Sequence, residues 1–423
     1  METIQEKSQK KVINKKVKSI IHEGYDSKLS VGSIAIPIFP TTAYRFLSAE
    51  IAEDAFNQAL AGESLSNLIY SRVNNSNAEI LENKLIFIEH KGVEAAVFGS
   101  GMAAIITTVF ATCIQDKVIA YTSPLYGGTY DFLNGYLRGK LGYSLLELSD
   151  STEESCQQII ELGDSLGLLY IETPANPTLQ MFDIEKLCAA AKKANPESYS
   201  VLDNTFMGIF QQGFTISDQL DLIVYSGTKF ISGHSDVLNG CVICNENNKE
   251  IMKEIKSLRI ILGNILHPFQ CNQVSTHLIT YSLRMEKQSE QAGYIVNQLN
   301  TLSHKKLLKI VHPDVFKRGT IEEAIYKKQC SSGSSLVCLL LDTDKAGTFR
   351  FLNRLNQSGI IQLAVSLGSV ESLVTHPAST THSEIDAEKL KKFGISDNLV
   401  RLSIGLEDPD DLVRVILEAL QAI

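Results

Sequence analysis

Along the middle of the chain, apolar runs break abruptly into polar residues, and stretches with helical spacing lie between them. Residues 168–171 lead into Glu172-Thr173-Pro174-Ala175-Asn176-Pro177, and a run ending at Leu202 leads into Asp203-Asn204-Thr205. Leu220, Leu222, Ile223 and Val224 lead into Tyr225-Ser226-Gly227-Thr228-Lys229-Phe230. Helical patterning begins at Glu79 with Leu81, Leu85 and Ile88, and strand and helix signals then alternate to Asn239. This alternation predicts an α/β unit with a mostly parallel sheet, whose carboxyl-terminal strand ends are where open sheets place ligands. Residues 30–76, with Pro37 and Pro40, read as an irregular arm. A long helical segment over 249–302 leads to a second unit, with a buried strand at 335–341 and a closing helix at 409–422. The expected organisation is an arm over 1–75, an α/β domain over 76–265 and a smaller α+β domain over 266–423.

The length of 423 residues fits more than one core. A net charge of -9 speaks against nucleic acid or an anionic membrane as the main partner, because both require a basic face. Residues 95–115 carry no charge, but Gly99-Ser100-Gly101 and the hydroxyls Thr107, Thr108 and Thr112 favour a strand, a turn and a buried helix over a membrane span. The N-terminal lysines from Lys7 to Lys18 lack the apolar stretch of a signal peptide, so a solvated arm and a cytoplasmic protein are expected. Eight scattered cysteines fit free thiols in a reducing compartment. Cys241 and Cys244 form a C-x-x-C, yet Gly240 to Cys244 reads as a buried strand; no metal is expected, and a site on Cys241, Cys244 and His234 is the alternative.

Asp203 and Lys229 stand at the ends of two neighbouring predicted strands. A carboxylate, small hydroxyls and a lysine together suit pyridoxal phosphate: the lysine carries the aldehyde, the carboxylate keeps the pyridine nitrogen protonated, and hydroxyls bind phosphate. Either residue alone reads better as a solvated strand end; together they favour the cofactor. Ser100-Gly101-Met102 opens a helix whose N-terminal N–H groups suit a dianion. Tyr126-Gly127-Gly128 offers a ring for stacking, Asn176 an amide, and Tyr70-Ser71-Arg72 a guanidinium. Arg401, in the strand-like run 400–405, suits a carboxylate.

Together these segments resemble the transsulfuration enzymes of the Cys/Met metabolism family, over nearly the whole chain after Ile21. The most specific parts are 225–236, 172–177, 365–368 with 376–382, and 401–408. The resemblance implies a PLP fold-type I enzyme, aspartate aminotransferase-like, assembled as a homotetramer of two tight dimers with active sites shared across the dimer interface. It implies Lys229, Asp203 and Tyr126 as catalytic residues. It gives the phosphate to Ser226, Thr228 and the backbone of Gly101 and Met102, aided by Tyr70 and Arg72 of a neighbouring subunit. Asn176 is implied near the ring oxygen, and Arg401, Ser366 and Val365 around the substrate. The implied activity is α,γ-elimination from a sulfur amino acid, with cystathionine γ-synthase or O-acylhomoserine sulfhydrylase as the alternative; a non-catalytic scaffold would need neither Lys229 nor Asp203. The chain departs from the family at Asn74-Asn75-Ser76-Asn77, where Gly-Asn-Pro-Thr is usual. It also departs in an insertion-like stretch over 57–67, at Gly128, where methionine γ-lyases commonly carry cysteine, and at Val365, where cystathionine lyases and synthases usually carry glutamate.

Overall fold

The computed structural model describes residues 20–60, 67–113 and 116–423. The lysine-rich N-terminal arm and most of the 57–67 stretch therefore lie outside the described residues. Seven strands form the larger sheet: β1 (Glu94–Phe98), β2 (Val118–Tyr121), β3 (Ser144–Glu147), β4 (Leu166–Glu172), β5 (Tyr199–Asp203), β6 (Leu222–Tyr225) and β7 (Gly240–Cys244). Their order is β1-β7-β6-β5-β4-β2-β3. Strands β3, β2, β4, β5 and β6 run parallel, and β7 is antiparallel to both of its neighbours. Every residue of β4 is buried, because both faces of the sheet are covered. Leu169 and Ile171 pack with Ile184 and Leu187 of the helix Ile184–Ala194, while Leu168 and Tyr170 pack on the other face with Ala104 and Val109 of the helix Gly101–Thr112. The same alternation sends Cys241 and Cys244 to opposite faces. They cannot ligate one ion, so the alternative metal site with His234 does not assemble. No described helix is long and apolar enough to cross a membrane; the described part of the uncharged segment, 95–113, holds β1, a turn and the helix Gly101–Thr112.

The smaller sheet holds β8 (Leu307–Val311), β9 (Leu336–Leu341), β10 (Gln362–Leu363), β11 (Leu373–Thr375) and β12 (Leu399–Ser403), in the order β10-β11-β12-β9-β8. Its core joins Val337, Leu339, Val400 and Leu402 to Ile295, Phe351 and Ile416 from three covering helices. One of those, Pro409–Leu420, starts with proline at N1 and with Asp408 accepting hydrogen bonds from Asp410 N and Asp411 N.

Two sequence expectations need correction. Residues 249–302 are three helices, Lys249–Leu262, Pro268–Leu278 and Tyr281–Leu302, because Gly263 ends the first and Pro268 starts the second. The arm is not irregular throughout: Ala49–Leu60 is a helix, and Ser76–Ile88 begins three residues before Glu79, capped by Asn75, whose Oδ1 accepts from Asn77 N at 2.9 Å. The asparagines that replace the family's Gly-Asn-Pro-Thr hold this arm by side chain. Asn74 Oδ1 accepts from Ile69 N at 2.9 Å, and Asn77 accepts from Phe39 N and donates to Pro37 O, both at 2.8 Å.

The helix Tyr281–Leu302 also reaches back to the large domain. Buried Arg284 donates to the carbonyls of Phe230, Ile231 and His277 at 2.9, 3.1 and 3.2 Å, clamping the turn that follows Lys229. Gly233 in that turn has φ +66, and a Cβ there would stand 1.7 Å from Arg284 Nη1. Gly233→Ala is therefore expected to strain the backbone and displace the clamp together, costing roughly 2–4 kcal/mol. A denaturation midpoint equal to that of the parent protein would contradict this reading of the turn.

Candidate active site

The site begins with strand register. Glu172 at the end of β4 pairs with Asp203 at the end of β5, and Asp203 pairs with Val224 near the end of β6, so three chains leave the sheet side by side. Above them is a cavity of about 550 Å³. Asp203, Ser226, Thr228 and Lys229 enter it from these strand ends, with Asn176 from the loop after β4. Gly101, Met102 and Tyr126 line a second side, and Val365, Ser366 and Arg401 arrive from the smaller domain.

Asp203 is only 7% exposed. Its Oδ1 accepts from Thr205 N at 3.0 Å and Thr205 Oγ1 at 2.6 Å, and its Oδ2 accepts from Tyr170 Oη at 3.2 Å. Thr205 Oγ1 in turn accepts from Ser226 N at 2.9 Å, fixing the start of the Lys229 loop against the carboxylate. Glu172 is 4% exposed and accepts from Tyr126 N at 2.8 Å and Asn176 N at 3.0 Å. Burial raises the proton affinity of both carboxyls; the Asp203 charge raises that of Glu172 further, and the Thr205 donors oppose the rise at Asp203.

Lys229 Nζ donates to Ser366 Oγ at 3.0 Å. Burial, and then the charge of Arg401, lower its pKa to about 8, so an appreciable share of the amine is neutral and nucleophilic near physiological pH. Arg401, on β12 and 2% exposed, donates to Asn176 Oδ1 at 2.8 Å and Ser366 O at 2.9 Å. Its buried Nε has no partner, and burial lowers its pKa to about 10. A guanidinium held in place at a cavity wall, with only two of its N–H groups spent on Asn176 and Ser366, suits a carboxylate ligand. His382 Nε2 lies 3.2 Å from Asn176 O; burial, then Arg401, lower its pKa to about 4, leaving a neutral imidazole that props the Asn176 loop.

On the other side, Ser100 caps the helix Gly101–Thr112 through Ala103 N at 3.0 Å, which leaves the first N–H groups of that helix without intrahelical partners. A Cβ on Gly101 would meet the Ser226 side chain at 2.8 Å, so the glycine lets the helix start and the Ser226 loop close into one cradle. Thr228 lines the cavity, but its Oγ1 donates to Asn239 O at 3.1 Å and accepts from Asn239 N at 2.9 Å. Its hydroxyl hydrogen is thus committed to the loop, and Ser226 is the better donor. Tyr126 is 39% exposed, and burial, then Glu172, raise its pKa, keeping the phenol protonated. A Cβ on Gly128 would come within 2.8 Å of the Tyr126 ring, so any larger residue there moves the ring.

Tyr70 and Arg72 are not brought to this cavity. Tyr70 is exposed, and Arg72 donates to Ile260 O at 3.1 Å with its guanidinium 5.8 Å from the Tyr70 ring centre. Sequence reading singled out neither Glu172 nor Thr205 as a functional residue, although a polar residue ending an apolar run, and a hydroxyl two positions after an acid, were both visible.

This geometry can be set beside known proteins. Residues 18–421 match the Cys/Met metabolism PLP-dependent enzyme family. The chain belongs to that family. Over 403 residues it is 32% identical to an L-methionine gamma-lyase of Fusobacterium nucleatum subsp. nucleatum, covering 95% of this chain and 97% of the relative. It is also 32% identical to a cystathionine beta-lyase of Lactococcus lactis subsp. cremoris, covering 95% and 98%. A cystathionine gamma synthase from Xanthomonas oryzae pv. oryzae, solved in complex with cystathionine, superposes with a TM-score of 0.85 at 27% identity over 96% of this chain and 98% of that one. Fold-type I and an enzymatic transsulfuration chemistry follow, and the family implies pyridoxal 5'-phosphate. The donor set fits that cofactor: an amine of lowered pKa for the aldehyde, a buried carboxylate for the ring nitrogen, and helix N–H groups with Ser226 for the phosphate.

The neutral Lys229 amine is the form that attacks an aldehyde. Uptake of pyridoxal phosphate by the cofactor-free protein should therefore accelerate as pH rises, with a half-maximal rate near pH 8. Stopped-flow absorbance reads this directly; a midpoint near that of an ordinary lysine, ~10.4, would contradict the environment described for Lys229.

Proposed function

We propose that this enzyme is a carbon-sulfur lyase acting on sulfur amino acids by α,γ-elimination, of the methionine or cystathionine gamma-lyase kind, releasing 2-oxobutyrate and ammonia. The convergence of Arg401, Lys229 and Tyr126 on one cavity carries the reading. Arg401 holds the substrate α-carboxylate, with Asn176 and the Ser366 carbonyl fixing its plane. Lys229, beside Ser366 Oγ, takes the proton from the α carbon and serves the adjacent carbon in turn. Tyr126, held as a neutral phenol, gives a proton to the departing sulfur, a role of general acid typically worth ~10²- to 10⁴-fold. When bound, the cofactor supplies the electron sink for charge left at the α carbon. Val365, 63% exposed and apolar, lines the substrate side and favours an apolar arm.

The second reading is γ-replacement, in which a thiol takes the place of the lost substituent; the likeness to a cystathionine gamma synthase supports it. Gly128 counts against a strictly methionine-specific site. We also assign Tyr70 and Arg72 to the phosphate of a neighbouring subunit within a homotetramer, because they lie away from their own cavity. Eight free cysteines agree with a cytoplasmic location.

Purified enzyme loaded with cofactor should release 2-oxobutyrate from L-methionine or L-cystathionine alone. Pyruvate from cystathionine would move the reaction to β-cleavage, and product only when cysteine accompanies an O-acylhomoserine would move it to replacement. Arg72→Ala should weaken cofactor retention on dialysis about tenfold while leaving the fold intact; unchanged retention would contradict the assignment across subunits.

A further inference from the structure

Outside the residues already given roles, the most constrained polar group in the cavity is Glu172. Both carboxylate oxygens are spent on backbone: Oε2 on Tyr126 N at 2.8 Å and Oε1 on Asn176 N at 3.0 Å. Those two N–H groups belong to different loops, one after β2 and one after β4. From Asn176 a line of hydrogen bonds continues to Arg401, to the Ser366 carbonyl and, through the same serine's hydroxyl, to Lys229. One buried side chain thus fixes the loop of the phenol and the loop that seats the carboxylate-binding arginine. The backbone of Glu172 is itself tied, since its N–H donates to Thr122 Oγ1 at 2.9 Å.

Glu172 is also the strand neighbour of Asp203. Two carboxyls side by side in a buried place are costly unless a cation lies close. Neither forms an ion pair with another side chain among the described residues. Accepting two N–H bonds favours the Glu172 anion, whereas burial and Asp203 favour its proton; a cationic ring near Asp203 tips the balance to the anion.

We propose that Glu172 is a positioning residue of this active site, one that locks the Tyr126 and Asn176 loops together and adds a second negative charge beside Asp203 toward a bound cationic cofactor. The inference rests on the pyridoxal lyase reading above. Titratable and charged groups facing the same space are Asp203, Lys229, Arg401, Tyr126, Tyr170, His382 and Glu384. All of them stay constant in the comparison that follows.

The test compares cofactor-loaded wild type, Glu172→Gln and Glu172→Asp. The readouts are the pH midpoint of the bound-cofactor absorbance change and the separate values of KM and kcat. A nearby negative charge holds protons on cationic groups, so its removal lets them leave at lower pH. Glu172→Gln should lower the midpoint by about one unit and raise KM about tenfold. Glu172→Asp keeps the charge but not the reach, so it should keep the wild-type midpoint while raising KM; it carries the test alone if the glutamine variant does not fold. A wild-type midpoint and KM in both variants would overturn the proposal, as would an equal midpoint shift in both. Wild type that shows no cofactor absorbance or no turnover would instead remove the functional reading and leave the Glu172 geometry standing.

Discussion

The parallel register of β4, β5 and β6 is the constraint on which the site depends. Backbone hydrogen bonds place Glu172 opposite Asp203 and Asp203 opposite Val224, so the sheet delivers its polar groups in one row and the chain then turns into the loops that hold Asn176, Thr205 and Lys229. A slip of one residue in any of these strands would send the side chain to the opposite face, into packed core. The apolar fill on both faces therefore protects the chemistry as well as the fold. Leu169, Ile171, Leu202 and Ile223 pack on one side, and Leu168, Tyr170, Val201 and Val224 on the other.

Around that row the protein balances buried charges. Around one cavity two buried carboxyls, Glu172 and Asp203, lie near two buried cations, and each cation is shifted in the direction that burial dictates: the Lys229 pKa to about 8 and the Arg401 pKa to about 10. Glu172, Asp203 and Arg401 are held by neutral partners, namely backbone N–H groups, a carbonyl, an amide and two hydroxyls, which fix position without neutralising charge. That arrangement leaves the charges available to ligands of opposite sign. The smaller domain closes the site because β12 carries Arg401 and because Val370 N donates to Gly233 O at 2.9 Å, joining the domains at the lysine turn.

Much of this was legible in the chain. Asp203 and Lys229 end apolar runs, and the helix start at Ser100-Gly101 carries its own capping hydroxyl, so local pattern sufficed. What pattern missed depended on distant contacts. Glu172 has one partner, Asn176, four residues on, but acquires the other, Tyr126, from a loop 46 residues away, and Thr228, read as a phosphate donor, has its hydroxyl taken by Asn239, eleven residues on. The helix Ala49–Leu60 was legible too: Ile51, Ala52, Ala55, Phe56 and Ala59 recur at helical spacing, but they follow Pro37 and Pro40 in a stretch read as irregular. The break in 249–302 is written in the chain, where Gly263 ends one helix and Pro268 starts the next. The departure at 74–77 looked like a lost proline, whereas asparagine side chains bond backbone that only the folded arm brings near.

Lys229 is the residue proposed to carry the cofactor. Borohydride reduction of the loaded enzyme, followed by peptide mass mapping, tests this most directly. A pyridoxyl group on Lys229, and on no other lysine in stoichiometric amount, is the predicted result. A stoichiometric label on any other residue would contradict the site as built from strand register.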